Sequence, residues 1–348
     1  MTALLRNILE FVQDIVNNYG WAVIIFSLFI KAVLLPLDYK SRKSMRAMTA
    51  LNPKMEELKK KYANDQEKLN QKMSELYKKN KVNPLSGCLP MLIQLPILFM
   101  MFSVMRNTAA ELQLDQMYKW VAANFLNGET GELLKLDNEA VQAVLQAVKS
   151  GEALKTFGDP QGWLWIKSVF QPDSFMKTVI PTMEELSIML QQYGDKITPE
   201  VKELLTLYAS DTNQIASAVD LAVRENCGFT TFNLFLNWIP ISFPKNWSVY
   251  VNGCFALPIL AGVTQFLQTK LTPTSADTSS QKGGTGAFMK WFFPIFSVWI
   301  CISSTAAFAI YWVFVNIWSI VTNFAINKYL DAKDKKTQVV TEKEALQP

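Results

Sequence analysis

The chain has 348 residues, of which 50% are hydrophobic and 18% charged, against roughly 25% charged in an ordinary soluble domain. Thirty-four Lys and Arg face 30 Asp and Glu, a net charge of +4, and the deficit of charge is concentrated in a few segments, which points to a membrane protein. Histidine is absent, which excludes Ser-His catalysis and zinc chemistry of the HExxH type, and Cys88, Cys227, Cys254 and Cys301 show no metal spacing. No cofactor is expected. A disulfide between Cys227 and Cys254 on an outer face stays open.

Residues 1–20 do not read as a signal peptide, because Glu10, Asp14, Asn17 and Asn18 interrupt any apolar core. Leu4, Leu5, Ile8, Leu9, Val12, Ile15 and Val16 recur at helical spacing instead, as in an amphipathic helix on the outer membrane surface or one packed on an outer domain. Residues 21–37, WAVIIFSLFIKAVLLPL, form the first span and carry Lys31. A charge at bilayer depth costs roughly 2.5 to 3.5 kcal/mol. Lys31 lies about 9 Å from the end of its span at 1.5 Å per residue, so its stem can snorkel to the interface, or its ammonium can face a watery interior.

Residues 38–85 hold thirteen Lys or Arg against six acids, and positive-inside logic places them in the cytoplasm. Asn52-Pro53 opens one helix with a thin stripe of Met55, Leu58 and Tyr62. Asn64 with Glu67 resembles a capping box opening a second, which Asn83-Pro84 stops. The result is a helical hairpin with little to bury, whose Lys59, Lys60 and Lys61 suit capture of a client, a ribosome or lipid headgroups; a merely solvated charged hairpin is the plainer reading. A second span follows at 86–106.

Residues 107–250, with ten basic and seventeen acidic residues, form an outer region too long for a structureless loop. Asn138 to Lys149 and Pro199 to Val223 read as helical, Gly158-Asp-Pro-Gln-Gly162 as a turn, and Trp163 to Phe170 as an interfacial segment. Asn246-Trp-Ser248 matches a glycosylation sequon, idle in a bacterium. Three more spans follow, at 251–271, 287–303 and 305–327. A Ser, Thr and Gly rich cytoplasmic loop at 272–286 separates the first two, and 328–348 is a polar cytoplasmic tail. The fold class is thus an all-α polytopic membrane protein with five spans, N-terminus out and C-terminus in.

Measured from the cytoplasmic ends, Gln94 and Gln265 lie about 8 to 9 Å deep, level with Lys31; Trp312 and Asn316 lie deeper, and Thr322 shares the layer. Each polar residue alone could simply bond between helices. Together they suggest a common hydrophilic groove. No acid lies within a span, so either water surrounds Lys31 or an acidic group reaches it from elsewhere.

With these residues in place, the chain resembles the YidC/Oxa/Alb family of membrane protein insertases. The resemblance rests on Lys31 before LLPL, on Asn83-Pro-Leu-Ser-Gly-Cys-Leu-Pro-Met-Leu-Ile-Gln-Leu-Pro96, on Leu257-Pro-Ile-Leu-Ala-Gly-Val-Thr-Gln-Phe-Leu-Gln268 and on Tyr311-Trp-Val-Phe-Val-Asn316. It covers residues 21–106 and 253–327. It implies five core spans around a groove open to cytoplasm and lipid and closed outside, with Lys31 as groove cation, Gln94 and Gln265 as polar positions, and Trp312 or Tyr311 as last-span aromatic. It also implies nascent membrane proteins as clients, the ribosome and the Sec translocon as further partners, and the bacterial cytoplasmic membrane as location; no DNA is expected. Three departures stand out. Lysine replaces the usual arginine, Thr305-Ala-Ala-Phe308 replaces a proline and glycine turn, and the outer region is enlarged relative to compact Gram-positive members, with Trp163 to Asp173 resembling their short connection.

The expected function is insertion of client helices and short tails from cytoplasm to bilayer, without covalent chemistry. No G-x-x-x-x-G-K-[ST] sequence supplies a nucleotide cycle. A folding or assembly factor without autonomous insertion shares the same surface features, and a solute transporter would require related halves that the sequence does not show.

Overall fold

A computed structural model describes residues 2–80, 89–155, 157, 161–210, 214–234, 239–245, 248–271 and 285–345. The chain divides into two compact units. The first comprises Met1–Ile24, Met101–Ile259 and Trp299–Tyr311, the second Ile25–Met100, Leu260–Val298 and Trp312–Pro348.

The first unit begins with α1 (Thr2–Val16), whose residues sort onto three faces. Leu5 and Leu9 are buried, Leu4, Phe11 and Ile15 are exposed on the neighbouring face, and the polar residues fill the rest. Arg6 donates its fork to Glu111 at 3.1 and 2.5 Å and its Nε to Glu10 at 2.6 Å, tying α1 to α5 (Leu89–Phe125). One apolar face of α1 thus packs on protein while another stays open, so the two roles left open by periodicity are compatible.

Beyond Arg106 the helix α5 becomes a support for the core of the first unit. Ala110, Leu114, Met117 and Val121 recur on one face and are buried, as the 3.6-residue repeat requires of a helix packed on one side. They join α6 (Glu139–Ser150), α7 (Met183–Tyr193), α8 (Pro199–Tyr208) and α9 (Ile215–Cys227) in one core. Trp120 anchors that core, meeting Phe125 edge-on at 5.3 Å and Phe157 at 5.5 Å. The ends are capped locally. Asn138 accepts from Ala140 N–H, Thr182 and Glu185 form a reciprocal box, and Gly151 and Gly228 take positive φ after α6 and α9. The expected helix over Pro199 to Val223 is two helices, α8 ending at Tyr208 and α9 running on to Cys227.

Two short strands were not anticipated: β1 (Phe229–Leu234) and β2 (Ile239–Pro244), paired antiparallel from Phe229 with Pro244 to Leu234 with Ile239. The thiol pairing left open by the sequence does not form. Cys227 and Cys254 are both free, the former buried and the latter exposed. Gly158 to Pro160, the centre of the expected turn, and the first two residues of the sequon lie outside the described residues.

Most of α2 (Tyr19–Thr49) belongs to the second unit; it runs through Pro36 without a break, continuing as helix twelve residues past Leu37, the end of the expected first span. Next come α3 (Asn52–Lys61) and α4 (Gln66–Lys79), antiparallel and closed by a contact from the Tyr77 hydroxyl to Met55 Sδ at 3.5 Å. Both start one residue from the expected caps. Leu51 precedes α3, placing Asn52 inside it, and Asp65, not Asn64, accepts from Lys68 N–H at 3.0 Å. The stop at Asn83-Pro84 and the 272–284 stretch lie outside the described residues.

The remaining helices are α10 (Ala256–Leu271), α11 (Thr285–Ser303) and α12 (Ala306–Ala345). Among described residues, two helices are long and apolar enough to cross a membrane, Tyr19–Thr49 and Ala306–Lys333, with Lys290–Ser303 a shorter apolar helix. Each carries an exposed apolar stripe, Ile25, Phe29 and Val33 on α2, Trp291, Ile295 and Trp299 on α11, and Ile317, Val321 and Phe324 on α12. Within the second unit α10 and α11 approach closely at Gly262, where a Cβ would lie 2.5 Å from Val298 Cγ2. The segment expected as a polar tail from Lys328 continues α12 as helix to Ala345.

Candidate functional site

Helix N-termini expose N–H groups that need acceptors, and in the first unit one stretch, residues 161–173, serves three of them. Gln161 accepts from Tyr19 N–H at 2.8 Å and Gly162 from the Asn18 amide at 3.0 Å, at the start of α2. Trp163 then packs against Gly20, where a Cβ would sit 2.9 Å from its Cδ1, and meets Trp21 edge-on at 5.8 Å. At the start of α12, Ala306 and Ala307 donate to the carbonyls of Gln171 and Val169, both at 2.9 Å, while Phe308 N–H reaches Thr305 Oγ1 at 3.4 Å. Thr305-Ala-Ala-Phe308 therefore makes a competent turn without proline or glycine.

At the start of α10, Asp173 accepts from Cys254 N–H at 2.8 Å and Leu257 N–H at 2.6 Å, with Trp165 Nε1 adding a bond at 3.3 Å. Asp173 is fully buried, and a Cβ on Gly253 would lie 1.9 Å from its Oδ1. Asn252 completes the joint, donating to the carbonyls of Ser168, Gln171 and Pro172 and accepting from Ser168 N–H. Of the expected interfacial segment, Leu164 and Trp165 are exposed, whereas Trp163, Ile166, Val169 and Phe170 are buried.

The second unit holds most of the expected site residues. Lys31 is 7% exposed and lies on the side of α2 away from Ile25, Phe29 and Val33. On the same face, at helical spacing, come Ser27 before it and Asp38 and Arg42 after it. On α12 the matching row is Trp312, Asn316, Ser319 and Asn323. Trp312 Nε1 donates to Ser297 Oγ of α11 at 3.1 Å, and Asn316 donates to Thr264 Oγ1 of α10 at 3.2 Å. Arg42 donates to Asn323 Oδ1 and, at 3.4 Å, to the Ser319 carbonyl, while the Asn323 amide reaches the Leu271 carbonyl at 2.9 Å. Three helices are thereby tied at one level.

Gln265 is half-buried on α10 one residue after Thr264. Gln94 lies in α5, with its side chain outside the described residues. Tyr311 belongs to the first unit, buried beside Phe308 at 6.1 Å. Lys59, Lys60 and Lys61 form the last turn of α3 near the hairpin's tip, with Lys61 Nζ 5.7 Å from the Tyr62 ring centre. Arg42 Nε and Gln268 Oε1 are buried without a hydrogen-bond partner among the described residues. Such groups are ordinarily served by water.

The sequence model of the 60Kd inner membrane protein family matches residues 11–244 and 222–334, most of the chain. The chain belongs to that family. Among curated relatives of the 60Kd inner membrane proteins, a membrane protein insertase YidC from Fusobacterium nucleatum is 46% identical over 122 residues, covering 34% of this chain and 58% of the relative. One of the same name from Chlorobaculum parvum is 27% identical over 332 residues, 95% of this chain and 37% of the relative. A third, from Roseobacter denitrificans, reaches 50% over 97 residues, 28% of this chain and 16% of the relative. The chain thus spans less than two thirds of the length of the relatives it matches.

Three groups escaped the sequence reading, two in the second unit and one in the first. Asp38 and Arg42 were counted as loop charges because the apolar run ends at Leu37, although their spacing of seven and eleven from Lys31 puts all three on one helical face. Asp173 had no local signal at all, since the N–H groups it serves lie more than eighty residues away.

Proposed function

We propose that the chain is a membrane protein insertase of the bacterial cytoplasmic membrane, with five spans, the N-terminus outside, and a hydrated groove open to the cytoplasm. The observation that carries this reading is the burial of Lys31 on a polar face of a helix whose opposite face is apolar and exposed. A lysine serving only to snorkel would stand on the outward stripe. The unmatched Arg42 Nε and Gln268 Oε1 support a wet interior, and family membership favours the same activity.

In the proposed mechanism a client's short tail enters the wet recess, so only the outer half of the bilayer is crossed dry. Lys31 attracts the tail's acidic residues for the duration of transfer. Gln94, Gln265 and Asn316 supply neutral partners, and Trp312 and Tyr311 an apolar wall along which the client helix slides. The client then leaves for lipid, favoured by apolar burial of about 25 cal/mol per Å² and, for an acidic tail, by roughly 2.3 kcal/mol per charge per 100 mV. Lys59, Lys60 and Lys61 make first contact with client or ribosome, and contacts with the Sec translocon would follow from the same role.

The test is insertion of a short acidic-tailed client into liposomes containing only this protein. Lys31→Arg should retain transfer, Lys31→Ala impair it and Lys31→Glu abolish it at equal protein levels. Equal transfer by all three would remove Lys31 from the mechanism. Transfer no faster than into empty liposomes would leave a folding or assembly factor.

A further inference from the structure

Two cations in the first unit converge on one aromatic ring. Arg106 Cζ lies 5.9 Å and Lys196 Nζ 5.2 Å from the centre of the buried Tyr193 ring. Local structure sets both heads. Tyr193 is the last residue of α7, and the turn after it is closed by Lys196 N–H donating to the Tyr193 carbonyl at 2.9 Å, which brings Lys196 back over the ring. Arg106 donates to the Gln192 amide oxygen at 3.0 Å, a neutral partner. The carboxylates nearest along the chain are engaged elsewhere: Glu111 holds the Arg6 fork, and Asp195 accepts from Lys202 at 2.8 Å. Among the described residues, then, neither cation is paired with a carboxylate. Both are exposed, so an anion from outside the chain can reach them.

The depth of the pair follows from α1. Its Leu4, Phe11 and Ile15 are exposed on one face, as in a helix lying in a membrane interface. The Arg6–Glu111 fork ties that helix to α5 five residues beyond Arg106, about 7.5 Å along the axis at 1.5 Å per residue. Arg106 is also the last residue of the expected second span, the level at which basic side chains meet lipid headgroups. We propose that Arg106 and Lys196 bind the phosphodiester of an anionic phospholipid in the outer leaflet, so that one lipid joins α5, where it leaves the membrane, to the end of α7. The guanidinium fork suits the two free phosphate oxygens, lysine adds a point charge on a flexible stem, and the Tyr193 ring holds both cations ready. A lipid is the occupant rather than a free anion because the site stands at headgroup depth, where anionic phospholipid is concentrated in a plane. The placement in the outer leaflet rests on the proposed topology, in which residues 107–250 lie outside.

The test is native mass spectrometry of the full chain in mild detergent, titrated with phosphatidylglycerol or phosphatidylcholine. The parent should retain phosphatidylglycerol about tenfold more tightly than Arg106→Gln/Lys196→Gln, as the loss of two basic residues at a lipid surface implies. Each single change should fall between, Arg106→Lys should stay close to the parent, and phosphatidylcholine should not separate the variants. Lys119→Gln/Lys149→Gln removes the same charge from exposed residues that are paired with Asp115 and Glu225, and should bind as the parent does. Equal retention of phosphatidylglycerol by the parent and Arg106→Gln/Lys196→Gln overturns the site, and an equal loss in Lys119→Gln/Lys149→Gln overturns it in favour of net charge. Displacement of the lipid by equimolar glycerol 1-phosphate overturns the lipid in favour of a free anion. Should the double variant fail to fold, the comparison of Arg106→Gln with Arg106→Lys decides. The leaflet is checked separately by labelling Glu129→Cys, exposed after α5, with a membrane-impermeant maleimide in right-side-out vesicles, the four native cysteines being replaced. Failure to label beside selective lipid binding refutes the topology and the leaflet but not the cation pair, whereas normal labelling beside unselective binding refutes the site alone.

Discussion

Replacing Asp173 with alanine should open the start of α10 far more than an ordinary cap mutation. A typical cap loss costs about 0.5 to 2 kcal/mol, but water can take over at most helix ends, and Asp173 is fully buried. Its removal strands the N–H groups of Cys254 and Leu257 and the Trp165 indole, which it accepts at 2.8, 2.6 and 3.3 Å. The Leu257 donor is buried and, left unmatched, costs about 1 to 3 kcal/mol; the Cys254 donor is only part-buried, so its lost bond costs about 1 kcal/mol, and the indole bond is long enough to count for little. The loss of a carboxylate at the positive end of a helix adds up to about 1 kcal/mol. The expected total is about 2 to 5 kcal/mol. At about 1.4 kcal/mol per tenfold, hydrogen exchange in a peptide covering residues 253–260 should accelerate by roughly one and a half to three and a half orders of magnitude. Asp173→Asn keeps one acceptor oxygen and should fall between. The measurement is exchange by mass spectrometry on the detergent-solubilised chain; acceleration below about threefold in Asp173→Ala would mean that these bonds do not hold the helix start.

Gly253→Ala should reproduce much of the same defect, because the new Cβ would sit 1.9 Å from Asp173 Oδ1; a denaturation cycle with Asp173→Ala should show the two changes to be strongly non-additive. Asp220 accepts from Met183 N–H at 2.9 Å, and burial pushes its carboxyl above the ordinary value of 3.8. Its folded form holds the proton more tightly, so its favourable contribution is fully present below pH 3.8 and is lost as pH rises through the higher folded-state pKa. Melting curves of the parent and Asp220→Asn should therefore diverge across that window, the parent gaining as the solution is acidified. Parallel curves would refute the assignment.

Features written in local periodicity were legible from the sequence: the long apolar helices and the basic hairpin. Cap positions moved by one residue at Leu51 and Asp65, because Asn next to Pro and Asn next to Asp offer neighbouring candidates and only backbone geometry selects between them. The β1–β2 hairpin was hidden because its strands are six residues each, with Pro240 and Pro244 inside the second. The joint at residues 161–173 was visible only as an aromatic run. Its work is done by carbonyls and one carboxylate whose partners lie far along the chain, and no spacing rule can find such pairs. Arg42 and Asn323 were hidden by the same long separation.

That joint also dictates an order of events in the protein's own biogenesis. Gly162 must meet Asn18, made 144 residues earlier, and Asp173 must await Leu257, 84 residues later. The carbonyls of Val169 and Gln171 must await the start of the last long helix. Loops of this length close slowly relative to local helix formation. The helices can therefore form one by one before the stretch that ties their N-terminal ends can engage any two of them. The joint is then the last part of the first unit to mature, and a ribosome stalled before residue 306 would leave a chain with formed helices and an unfinished joint.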